Sequence, residues 1–262
     1  MIKLVVTDID GTLLPEGTDQ INPEIYDVVR ALKEKGILFA AASGRQYASM
    51  RYVFEPVAHD MIFISENGTN VMCRETNMAS EYIDPELAEE VVRYLRRHEE
   101  CEITLSIPEV MYVERNHPDF MKLLTDGYHN NMAVVEDLIP YCRKTNKLSV
   151  YRKAGVDVIA DEILERFGRK LNTTVSGKIW IDFMKLGADK GNALATIQQQ
   201  LNIAPEETMA FGDNCNDIGM LMRAGESYAV ANAHPQLKKI AKHITWSNTE
   251  DGVIRTLREK LL

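Results

Sequence analysis

Two aspartates, two positions apart at the end of an apolar run, carry the densest chemistry in this chain: Lys3-Leu4-Val5-Val6-Thr7-Asp8-Ile9-Asp10-Gly11-Thr12. Side chains two apart along an extended chain point the same way. Asp8 and Asp10 can therefore converge on one small volume before Gly11 turns the backbone. Carboxylates that close repel each other. A hard cation with oxygen ligands, such as Mg2+, relieves the repulsion, and so does a proton shared by the pair.

Further residues of suitable type follow in Ser43-Gly44-Arg45, Lys190-Gly191 and Gly212-Asp213-Asn214-Cys215-Asn216-Asp217. Alone, each has an ordinary reading. Ser43 suits a helix cap, Lys190 a surface lysine, and Gly212-Asp213-Asn214 a turn. Together, Asp8, Asp10, Ser43, Lys190, Asp213, Asn216 and Asp217 suit phosphoryl transfer. One carboxylate can act as nucleophile and form an acyl phosphate, and a second can protonate the leaving oxygen and then deprotonate water. A lysine and a hydroxyl can hold phosphoryl oxygens, and Mg2+ offsets the repulsion between anionic nucleophile and anionic phosphate. Cys215 sits among these groups, but magnesium prefers oxygen to sulfur and the thiol is given no role.

The elements that position these residues follow from periodicity. Leu4–Val6, Ile37–Ala42 and Met61–Ile64 are continuous apolar runs, the mark of strands buried on both faces of a parallel sheet. Between the first two, Asn22-Pro23-Glu24 opens a helix with Ile25, Val28, Val29 and Leu32 on one face, and Gly36 closes it. This alternation predicts a doubly wound, Rossmann-like α/β core, whose ligands bind beyond the carboxyl ends of the strands. Each polar cluster named above lies at such an end. From Tyr82 the rhythm changes to hairpin-like strands with helices at Asp84-Pro85 and Val156–Phe167, which predicts an inserted α+β domain. Residues 1–81 and 185–262 are then the two parts of the core, and residues 82–184 the insert.

The 262 residues, 45% hydrophobic and 26% charged, are ordinary for a globular protein. A net charge of -9 argues against a general nucleic-acid binder. No apolar run reaches transmembrane length and the N-terminus reads as a strand rather than a leader, so no membrane role and a cytoplasmic setting are expected. The four cysteines show no paired spacing and are expected to be free thiols.

Asp8-Ile9-Asp10-Gly11-Thr12, Ser43, Lys190-Gly191 and Gly212 to Asp217 resemble, in order, the four motifs of the haloacid dehalogenase superfamily. The insert resembles the C2-type cap of its Cof-like sugar-phosphatase group, so the likeness spans essentially the whole chain. It implies Asp8 as nucleophile and Asp10 as general acid and base, with the Asp10 main-chain carbonyl on Mg2+. It further implies Ser43, Lys190 and Asn216 at the phosphoryl group, Gly44 and Arg45 lining the same pocket, Asp213 on the metal, and Asp217 supporting it. One departure is Asp182, where related chains often carry Glu.

A Mg2+-dependent phosphatase acting on a small phosphorylated metabolite is the leading expectation, as a monomer or small homo-oligomer. A phosphomutase and a non-catalytic metabolite-binding regulator are the alternatives. Specificity is expected in the insert, where Arg115, Asn116, His117 and Lys147 lie near strand ends and are expected to be exposed.

Overall fold

The computed structural model describes residues 1–15, 18 and 21–262. The chain divides into two compact units, Met1–Ala79 with Asp189–Leu262, and Ser80–Ala188.

In the first unit, β1 (Leu4–Asp8) is buried at every position. It is followed by α1 (Glu24–Glu34), β2 (Leu38–Ala42), α2 (Tyr47–Val53), β3 (Met61–Ser65), β4 (Asn70–Cys73) and β5 (Thr76–Ser80). The α1 face predicted from spacing is the buried one, through Ile25, Val28, Val29 and Leu32. Burying each of these side chains is worth roughly 1.5–3 kcal/mol. Asn22 Oδ1 accepts the Glu24 N–H at 3.0 Å, the capping bond expected at that end.

The second unit begins with α3 (Pro85–Leu95), whose N-cap Asp84 accepts from Glu86 N and Leu87 N. It continues through β6 (Glu102–Ser106), β7 (Met111–Val113), α4 (Pro118–Lys122), β8 (Met132–Val134), β9 (Lys147–Tyr151), α5 (Asp157–Phe167), β10 (Leu171–Ser176) and β11 (Trp180–Lys185). These strands form one sheet in the order β10-β11-β9-β6-β7-β8, antiparallel except for β7 with β8. Period two divides its faces. Ile103, Leu105, Leu148, Val150, Ile181 and Phe183 join Val91, Leu95, Ile163 and Phe167 in one core. On the opposite face Asp182 accepts from Ser149 Oγ at 2.6 Å and from Ser176 Oγ at 2.8 Å. Lys147 departs from expectation: it is 7% exposed. Its neighbour Leu148 takes the apolar face, so alternation turns Lys147 to the face of buried polar residues.

The chain then returns to the first unit with α6 (Lys190–Leu201), β12 (Thr208–Gly212), α7 (Ile218–Met222), β13 (Glu226–Ala229), α8 (Pro235–Ile240), β14 (His243–Ile244) and α9 (Gly252–Leu261). The core sheet runs β14-β13-β12-β1-β2-β3-β4-β5. It is parallel from β14 to β3, and β4 is antiparallel to β3. From β1 the chain first builds outward on the β2 side and later on the β12 side. The carboxyl ends of β1 and β12 therefore flank a topological switch point, the usual ligand position in such sheets. Among the described residues, no helix is long and apolar enough to cross a membrane.

Candidate active site

Asp8 is the last residue of β1 and is 4% exposed. Lys190, at the first position of α6 behind the N-cap Asp189, reaches it from another part of the chain. Lys190 Nζ lies 2.5 Å from Asp8 Oδ1 and 2.6 Å from Asp217 Oδ1. Asp217 Oδ2 accepts the backbone N–H groups of Asp213 and Asn214 at 3.0 and 3.1 Å, which folds the loop after β12 around that carboxylate. The lysine that reads alone as a surface residue is fully enclosed by the site.

Among the described residues, carboxylate oxygens of Asp8, Asp213 and Asp217 lie within 4.8 Å of one another. Asp8 Oδ2 is buried with no hydrogen-bond partner. Burial pushes the Asp8 carboxyl well above the usual range; Lys190 opposes this, while Asp217, Asp213 and Asp10 add to it. Asp213 is pushed up to about 6, first by burial and then by Asp217. Burial also works against the Lys190 ammonium, but Asp217 and Asp8 outweigh it and hold its pKa above the lysine range. Three clustered carboxylates facing one ammonium are a donor set that fits a hard divalent cation bound through oxygen.

Asp10 lies elsewhere in the site. β1 ends at Asp8, and the next residues form a tight turn in which Leu13 N and Leu14 N both donate to Ile9 O at 2.8 Å. The strict period-two alternation therefore ends with the strand, at Asp8. The Asp10 carboxylate instead meets the loop after β2. Arg45 Nη2 is 2.6 Å from Asp10 Oδ1, and Ser43 Oγ donates to Asp10 Oδ2 at 3.2 Å. Ser43 Oγ in turn accepts the Arg45 N–H at 3.1 Å. Gly11, with φ +84°, lies so near Asp213 that a Cβ there would stand 2.3 Å from Asp213 Oδ2.

Residues outside the sequence expectation complete the frame. Thr12 Oγ1 donates to Asp213 Oδ1 at 3.2 Å. Asn232 Nδ2 donates to Gly11 O at 2.8 Å, and His234 N to Asp213 O at 2.7 Å. Asn216 Nδ2 donates to Asn67 Oδ1 at 3.2 Å, and Asn67 also lies against Gly44. The polar end of β3, Ser65-Glu66-Asn67-Gly68, was the one signal for Asn67. Nothing in the local sequence marks Asn232 or His234, which act on residues more than 200 positions and about 20 positions away respectively.

A phosphatase of Escherichia coli (strain K12), 5-amino-6-(5-phospho-D-ribitylamino)uracil phosphatase YbjI, is 27% identical over 99% of this chain and 96% of its own length. The HMP-PP phosphatase of Citrobacter koseri is 27% identical over 94% of this chain and 90% of its own. A crystal structure of a protein from Eubacterium rectale matches with a TM-score of 0.88 at 31% identity, covering 99% of each chain. The family model for haloacid dehalogenase-like hydrolases matches residues 5–257, and the chain belongs to that family.

Proposed function

We propose that the protein is a Mg2+-dependent phosphatase that hydrolyses small phosphate esters through an aspartyl phosphate on Asp8. One observation supports this reading most: Lys190 fixes Asp8 Oδ1 while Asp8 Oδ2 stays buried and unpartnered. Such a carboxylate is oriented, and one of its oxygens is available to a phosphorus atom.

Asp8 Oδ2 attacks phosphorus, the bond to the ester oxygen breaks, and Asp10 gives that oxygen its proton. Water then attacks the acyl phosphate, Asp10 takes a proton from it, and inorganic phosphate leaves with Asp8 restored. Ser43, Gly44, Arg45 and Asn216 hold phosphoryl oxygens, and Lys190 neutralises charge at Asp8. The side chains of Asp8 and Asp213 with the Asp10 main-chain carbonyl would hold Mg2+, and Asp217 would support them through Lys190 and the loop amides. When bound, Mg2+ supplies positive charge that lowers the repulsion between the carboxylates and the phosphoryl group.

The two curated relatives are named for different substrates. All the residues assigned to the phosphoryl group lie in the first unit, and in this reading choice of the leaving group is assigned to the unit Ser80–Ala188 as a cap. The substrate is thus a small phosphorylated metabolite.

Phosphate release across sugar phosphates, nucleotides, flavin mononucleotide and pyridoxal phosphate, with Mg2+ and with a chelator, tests the proposal. Release that requires Mg2+ and vanishes in a folded Asp8→Asn variant is expected. Chelator-insensitive release, near-normal turnover by Asp8→Asn, or isomerised sugar phosphate accumulating faster than free phosphate would each overturn it.

A further inference from the structure

The turn after β3 carries backbone strain that the reaction steps above leave unexplained. Glu66, Asn67 and Gly68 have φ of 51°, 54° and 100°, three consecutive residues in the left-handed region. Only glycine and, to a lesser degree, asparagine and aspartate adopt it readily. Such strain persists where the surroundings enforce it, and here they are the loops of the candidate site.

The turn meets the loop after β2, the start of α6 and the loop after β12. Asn67 N donates to Ser43 O and Glu66 N to Arg45 O, both at 2.9 Å. Gly68 lies against the backbone of Asp189 and Lys190, where a Cβ would stand 2.3 Å from Asp189 O. The Asn67 side chain spans the remaining gap. Its Oδ1 accepts from Asn216 Nδ2 at 3.2 Å, and its amide lies 3.1 Å from where a Gly44 Cβ would be. Left-handed φ at residue 67 is what presents this short amide to both loops.

We propose that Asn67 is a positioning residue: its side-chain oxygen holds the Asn216 amide in place for a phosphoryl group. This rests on the phosphatase reading for the identity of the bound group. Without Asn67, the Asn216 amide loses the side-chain acceptor it has among the described residues, and its orientation becomes free. The loss falls on phosphoryl binding in ground state and transition state alike, so it appears in KM more than in kcat.

Asn67→Gly tests the side chain alone, because glycine keeps the left-handed turn. In Asn67→Gly, kcat/KM is expected to fall about tenfold, with inorganic phosphate binding to the Mg2+-loaded protein, read by calorimetry, weakened by the same factor. Asn216→Ala should lose as much, and the double variant no more than either single one, since the two act as one unit. Asn67→Ala should match Asn67→Gly in activity while melting at a lower temperature. Phosphate affinity within about twofold of wild type in Asn67→Gly, or additive losses in the double variant, overturns the proposal. A wild-type protein that neither releases nor binds phosphate overturns the phosphatase reading and this inference with it. Wild-type turnover with an indifferent Asn67→Gly overturns this inference alone.

Discussion

Arg45 holds the Asp10 carboxylate with two nitrogens, Nε at 2.9 Å from Oδ2 and Nη2 at 2.6 Å from Oδ1. The third nitrogen, Nη1, is buried with no partner. One guanidinium thus orients the proposed proton donor and keeps a further N–H for an anionic oxygen. A planar fork does both without rearranging; a lysine ammonium, as a single point of charge, does not.

Replacing Arg45 by alanine is therefore expected to lower kcat/KM on alkyl phosphates by about 10- to 150-fold, corresponding to about 1.5–3 kcal/mol for hydrogen bonds to charged groups. Arg45→Lys should recover little of it. Steady-state phosphate release checks this. Full activity in Arg45→Lys would show that only the charge matters.

Lys190 is enclosed with Asp8 and Asp217, and its loss strands two buried carboxylates. Lys190→Met is expected to cost about 3–5 kcal/mol in urea unfolding, with saturating Mg2+ returning part of it. Turnover should fall with it. An unchanged unfolding midpoint would mean that the folded protein already holds Asp8 protonated.

In the proposed reading metal binding and protonation compete at Asp213, whose carboxyl is raised to about 6 by burial and by Asp217. A carboxyl raised on folding binds protons more tightly in the folded state. The metal-free protein should accordingly lose stability as pH rises from the ordinary aspartate range through about 6. Mg2+ needs the deprotonated ligands, so its stabilising effect should grow over the same interval. Thermal melts at pH 5 and pH 7, with and without Mg2+, read both effects. A Mg2+-induced shift that is as large at pH 5 as at pH 7 would contradict the assignment of Asp213 to the metal.

Gly11 combines positive φ with a close approach to Asp213 Oδ2. Gly11→Ala should both strain the turn, by about 1 kcal/mol, and displace Asp213. A rise of about tenfold or more in the Mg2+ concentration needed for half-maximal activity is expected, comparable to the loss of a supporting contact at a metal site. A Mg2+ response matching wild type would exclude Asp213 as a ligand.

How much of this could be read from sequence depended on which physical signal each element leaves. β1 is buried at every position, and a continuous apolar run announced it. The caps Asp84 and Asn22 were legible because a short polar side chain before proline has few other uses. The β4–β5 hairpin was missed because its turn, Arg74-Glu75, takes φ of 48° and 65° without the glycine or asparagine that normally signals such a turn. Alternation predicted that Asp8 and Asp10 would converge, but it holds only while the chain stays extended, and the strand ends at Asp8. The same rule, extended properly across β9, would have turned Lys147 away from solvent. Of the site residues, Ser43 and Arg45 were named from their place after a strand. Their grip on Asp10 is a tertiary fact with no local trace, and so is the reach of Asn232 to Gly11.

The position of β1 between β2 and β12 also bears on biosynthesis. Val5 pairs with Met209, about 200 residues later. At roughly 5–20 residues per second, one edge of β1 waits on the order of 10–40 s for its partner while the ribosome makes the intervening chain. During that interval the nascent chain presents an apolar strand with unpaired amides and carbonyls, the kind of surface that invites aggregation. A chaperone or the ribosome surface shielding that edge would have its work finished when Thr208 to Gly212 emerge, and the candidate-site carboxylates of both halves come together only then.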